Sequence, residues 1–94
     1  MAQTKTIEQD LTEAMKAHDS LRVSTLRMIL AALKNEQIAK REPLNEEEEK
    51  IILQKEIKKR LQAAELYNRG RRPELAQKEE AEIKIIKEYL AGVL

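Results

Sequence analysis

Few side chains in this 94-residue chain have the chemistry to act as catalysts. There is no cysteine, so thiolate nucleophiles, thiolate metal sites and disulfides are excluded. The single histidine, His18, falls at an expected helix end and has no second histidine to share a metal ion. Ser20, Ser24 and Thr25 are the interior hydroxyls, and no histidine–acid relay accompanies them. Mid-helix, Ser24 and Thr25 are expected to bond the carbonyl four residues back. Glu46, Glu47, Glu48 and Glu49 are consecutive, so on a helix they point in different directions and make a poor metal cage. No glycine-rich phosphate loop is present. Tyr67 and Tyr89 are the only aromatic residues, too few for a base-stacking platform, and are expected at helix contacts. No catalytic set is assembled and no cofactor is expected. The chemistry on offer is that of binding.

Binding residues need elements to position them, and the apolar spacing gives four helices. The first is expected from about Thr6 to Ala17, with Thr6 and Gln9 as a capping box and Ile7, Leu11, Ala14 and Met15 on one face. Ser20 is the expected cap of a second helix reaching Lys40, centred on Leu26, Ile29, Leu30 and Leu33. Pro43 ends that segment, because proline disfavours helix at the residue before it and donates no backbone bond. Asn45, with Glu48 three residues on, caps a third helix from Glu46 to Arg69. Four glutamates in its first turn complement the positive end of the helix dipole. Leu53, Ile57, Leu61 and Ala64 are its expected stripe, and Gly70 its expected left-handed stop. Pro73 suits the first turn of a fourth helix, which buries Leu75, Ile83, Ile86 and Leu90, with Tyr89 at the edge. Short connections favour antiparallel neighbours. The fold class is therefore all-α, a four-helix bundle-like single domain over residues 1–94.

Charge is distributed unevenly along these helices. The net charge is only +1, yet residues 50–72 carry eight bases against two acids, a net +6. Lys55, Lys58, Lys59 and Arg69 lie opposite the apolar stripe, and Arg69, Arg71 and Arg72 gather around Gly70. Such a block is either a solvated helix face or a phosphate-neutralising one, and charge alone leaves both open. A second face lies on the second helix. Ser24, Arg27, Ala31, Lys34, Asn35 and Ile38 share a sector of about 100°. Its small residues admit a close neighbour, and Arg27 and Lys34 supply donors. Ordinary helix packing explains it equally well. No apolar run approaches the length of a membrane span, and no membrane partner is expected.

Two stretches carry a resemblance. They are Leu21–Ile38 (LRVSTLRMILAALKNEQI) and Leu53–Leu90, in particular LQKEIKKR and YNRGRRPELAQKEEAEIKIIKEYL. Together they resemble the YqeY family, whose helical region is similar to the tail of the GatB subunit of the tRNA-dependent amidotransferase. The resemblance covers nearly the whole chain from Leu11 onward. It implies an N-terminal four-helix domain followed by a smaller helical C-terminal domain. Here Tyr89-Leu90 is followed by four residues, so the chain is expected to correspond to the N-terminal domain alone. The resemblance also implies a non-catalytic helper that binds tRNA or associates with an amidotransferase or a tRNA-charging protein in the cytoplasm. A family label of glutamine-dependent carbon–nitrogen ligase activity comes with that shared tail, but the chain shows no ATP site, ammonia source or metal site of its own. By the same analogy Arg22, Arg27, Lys34, Asn35, Lys55, Lys59, Arg71 and Arg72 are contact residues. Ser24 and Arg69 join them from the face and charge patterns. A protein-interaction adaptor using the Ser24–Asn35 sector is the alternative.

Overall fold

A computed structural model describes the backbone of residues 2–93 and the side chains of residues 6–90. It contains α1 (Ala2–Lys16), α2 (Ser20–Lys40), α3 (Glu46–Arg69) and α4 (Pro73–Val93), with no strand among the described residues. The helices form two antiparallel hairpins, α1 with α2 and α3 with α4. Helix α2 also packs on α4 and α3 and so joins the hairpins. Ile7, Leu26, Ile29, Leu33, Leu53 and Ile86 are fully enclosed at the centre. An aliphatic core of this kind supplies the main favourable term, roughly 25 cal/mol per Å² of apolar surface removed from water.

Local signals set most helix ends. Asn45 Oδ1 accepts from the Glu48 backbone N–H, and the Glu48 carboxylate accepts from the Asn45 N–H, closing the expected capping box. The bond from the Asn45 N–H, together with Lys40, holds the Glu48 carboxyl below its ordinary pKa. Its contribution is present at neutral pH and is lost as pH falls through that lowered value. Asn45→Ala is expected to cost about 1 kcal/mol in urea unfolding, since it leaves an orphan amide at the helix start.

Other ends differ from expectation. Helix α1 starts well before Thr6, so Thr6 is an interior residue and not a cap. Asp19, not Ser20, caps α2, accepting from the Arg22 N–H at 3.1 Å. Gly70 has an ordinary φ of −85°, and the left-handed residue after α3 is Arg71 at φ 59°. There the Arg72 N–H reaches the Tyr67 carbonyl and the Arg71 N–H the Asn68 carbonyl, a double closure of the helix end. His18 plays the same left-handed part after α1.

Met15 and Leu61, expected in the core, are 48% and 55% exposed. Each lies eight residues after the first member of its stripe. Eight steps of 100° carry a side chain about 80° around the helix, to the edge of the buried face. On α3 the buried face turns the other way from Leu53, where Arg60 and Glu56 are buried.

Candidate nucleic-acid interface

Arg60 belongs to the basic block in sequence but not on the surface. It is 6% exposed. Its Nε donates to Glu82 on α4 at 3.1 Å. Nη1 donates to the Glu56 carboxylate at 3.2 Å and the Glu56 carbonyl at 3.0 Å. Nη2 lies 3.6 Å from the Met28 sulfur on α2. One guanidinium thus joins three helices and satisfies two buried carboxylates. Nearby Glu79 has its carboxyl pushed above the ordinary range, first by burial and then by the charge of Glu82. A raised folded-state pKa gives stability below the unfolded value that is lost as pH rises through the folded one. Glu79→Gln is therefore expected to raise the thermal midpoint at neutral pH, and to lose that advantage in acid.

With Arg60 turned inward, the exposed cations define a different surface. Lys40 reaches Glu48 at one end of the α2–α3 contact, and Met28 meets Arg60 at the other, so α2 and α3 run antiparallel. Between them lies a groove of about 500 Å³. Helix α2 contributes Met28, Ala31, Ala32, Asn35 and Glu36. Helix α3 contributes Ile52, Lys55, Glu56 and Lys59. Part of each face singled out from the sequence meets here: Ala31 and Asn35 from the α2 sector, Lys55 and Lys59 from the basic block. Lys59 reaches Glu56 at 3.1 Å, and its side chain stays 73% exposed. Lys55 and Asn35 are exposed and make no ion pair or side-chain hydrogen bond with any described residue.

The remaining expected contact residues are spread more widely. Arg69 pairs with Glu65 one turn back on the exposed face of α3. Arg71 and Arg72 are exposed in the α3–α4 turn and pair with no acid among the described residues. From Lys55 to Arg69 is fourteen residues, about 21 Å along the helix. Ser24 and Arg27 line a separate shallow depression of about 590 Å³ with Met15, His18, Ser20 and Val23. The Thr25 hydroxyl donates to the Leu21 carbonyl four residues back, as expected mid-helix, and the Ser24 hydroxyl reaches the same carbonyl from three residues on. Lys34 turns toward α1 and pairs with Glu8 at 3.1 Å. Arg22 lies on another side, bridging to Glu88 on α4 at 2.9 Å. It is a structural tie between helices rather than part of the groove. Tyr89 is likewise structural: its hydroxyl donates to Asp10 on α1 at 2.6 Å. Burial of the phenol and that bond hold its pKa far above the ordinary value.

Sequence reasoning missed Arg60 as an interior cation. The available signal was the spacing of Glu56 and Arg60, four residues apart and flanking the Leu53–Ile57–Ala64 stripe. Glu36, Met28 and Ile52 were also missed as groove residues, because the groove exists only once α2 lies against α3.

Among the described residues, no group of three His, Cys, Asp or Glu side chains is placed to hold a metal ion. No helix among them is long and apolar enough to cross a membrane. The arrangement offers two cations, one amide, the Glu36 carboxylate and an apolar lining on an accessible surface.

Comparison with known proteins agrees with the motifs. The altered inheritance of mitochondria protein 41, mitochondrial, of Lachancea thermotolerans is 38% identical over 85 residues, covering 89% of this chain and 46% of the relative. Its counterpart in Eremothecium gossypii is 33% identical over 88 residues, covering 93% and 48%. An uncharacterised protein of Schizosaccharomyces pombe is 30% identical over 84 residues, covering 89% and 68%. The chain thus spans about half the length of the first two relatives. The Yqey-like protein family model matches residues 4–94, and the chain belongs to that family.

Proposed function

We propose that this domain is a non-catalytic tRNA-binding helper that holds the nucleic-acid backbone on the α3 face and presents it to an amidotransferase or related tRNA-charging protein. The observation that carries the reading is the row of exposed cations along one helix. Lys55, Lys58 and Lys59 stand near its middle, with Arg69, Arg71 and Arg72 at its end. The spacing of about 21 Å between the two groups spans several phosphates of a nucleic-acid strand. The similarity to the GatB tail supports tRNA as the nucleic acid. The reading requires only a compartment that contains tRNA. The cytoplasm satisfies this, and the fungal relatives carry the word mitochondrial in their names.

The test is to purify the domain from cells at low salt and identify the retained nucleic acid. Retained tRNA, released by Arg71→Glu with Arg72→Glu in a protein that keeps its helicity, is the expected result. A preparation free of nucleic acid that also fails to bind added tRNA contradicts it.

A protein-docking reading has one observation of its own. Ile38 is 73% exposed on the same α2 face as Ala31 and Asn35. A stable protein partner lost on Ala31→Arg, with tRNA binding unchanged, favours that adaptor role.

A further inference from the structure

The α2–α3 groove has more than charge to offer, and its other features point to a particular part of an RNA. Its floor is apolar, made by Met28, Ala31, Ala32 and Ile52. Asn35 and Glu36 stand on the α2 side, and Lys55 and Lys59 on the α3 side. Its volume of about 500 Å³ is in the range of small-ligand sites. The side chains of Asn35 and Glu36 make no hydrogen bond or ion pair with any described residue, and neither does that of Lys55. The Glu56 carboxylate at the back of the groove is already held by Arg60, so it does not repel an anion as a free acid does.

An apolar lining with a side-chain amide and a carboxylate on the α2 side suits a planar ring with hydrogen-bonding edges. Two cations on the opposite wall suit phosphates attached to that ring. Both requirements are met by a nucleotide whose base has left its stack, the form in which proteins read RNA sequence. A paired base does not fit this description, because its edge is occupied and its faces are covered.

We propose that the groove receives one unpaired nucleotide of the bound RNA. Its base lies on the Met28–Ile52 floor, its edge meets Asn35 and Glu36, and its flanking phosphates meet Lys55 and Lys59. The inference rests on the RNA-binding reading above and adds a base preference to it. Glu36 accepts hydrogen bonds and donates none at neutral pH. It therefore favours bases with an exocyclic amino group, adenine, cytosine or guanine, and disfavours uracil, whose edge presents carbonyl oxygens beside a single N–H. Asn35 offers both a donor and an acceptor and pairs with either kind of group.

The test compares single-stranded RNA hexamers of adenine, cytosine and uracil, and a fully paired RNA duplex, by fluorescence anisotropy in low salt. Whole tRNA is measured alongside. The expected result is tighter binding of the adenine and cytosine hexamers than of uracil, by about 5- to 100-fold, the range of a good base contact. Asn35→Ala with Glu36→Gln erases that preference. Ala31→Trp, which fills the groove from an exposed position, weakens the hexamers and spares the duplex. Helicity and thermal midpoint confirm that each variant is folded. If tRNA binds but the hexamers show no base preference, or the double variant leaves the preference intact, the nucleotide site is wrong and the RNA-binding reading stands. If tRNA does not bind at all, both fall.

Discussion

Arg60→Met is expected to lower the free energy of unfolding by about 3–5 kcal/mol, the range for removing one partner of a buried ion network. Methionine keeps much of the volume, so the loss comes from charge. Glu56 and Glu82 are 9% and 4% exposed, and without Arg60 both carboxylates are left buried beside each other. The cost is recovered if the acids are neutralised with the base. Arg60→Met combined with Glu56→Gln and Glu82→Gln is expected to regain much of the lost stability, because the Coulombic and desolvation terms disappear together. Urea unfolding of the single and triple variants at neutral pH measures both effects. A single variant within about 1 kcal/mol of the parent would show that Arg60 does not hold the network. That change is no larger than an exposed ion pair produces.

The second large effect is on binding. Lys55→Glu with Lys59→Glu is expected to weaken tRNA binding on the order of 10- to 100-fold at low salt. It should also reduce the magnitude of the log–log salt slope by about one for each phosphate no longer neutralised. Stability is expected to change little, since both lysines are exposed and the Lys59–Glu56 pair sits at the surface end of the network. Arg22→Glu provides the contrast. Arg22 ties α2 to α4 through Glu88, so its reversal is expected to lower the thermal midpoint while leaving the salt slope of tRNA binding as it was. Equal effects of the two changes on the slope would place the binding surface elsewhere.

The fold was legible where the signals are local. Asn45, Glu48, Pro43 and Pro73 act within one turn of their own positions, and α3 begins and ends where they and Arg69 predict. The left-handed residue at the end of α3 was misplaced by one, at Gly70 instead of Arg71. Glycine adopts that conformation at least cost, but the two closing hydrogen bonds hold Arg71 in it.

Legibility was poorer for everything that depends on two helices at once. Charge counting includes Arg60 in the basic block without separating it from the exposed cations, because a sequence does not show that Glu82 arrives from α4 to meet it. The expected contact residues divide in the same way. Asn35, Lys55 and Lys59 come together in one groove, whereas Arg22 and Lys34 are drawn to acids on α4 and α1. Helical spacing fixes which residues share a face. It does not fix which neighbour that face will meet.

The most direct test of tRNA binding by the α3 face is equilibrium titration of the purified domain with tRNA across a potassium chloride series, with an unrelated protein of equal net charge as control. Clear binding at low salt is expected, with a log–log slope of magnitude several, at about 0.7–0.9 per phosphate neutralised. Binding no stronger than that of the control, or a slope near zero, contradicts it.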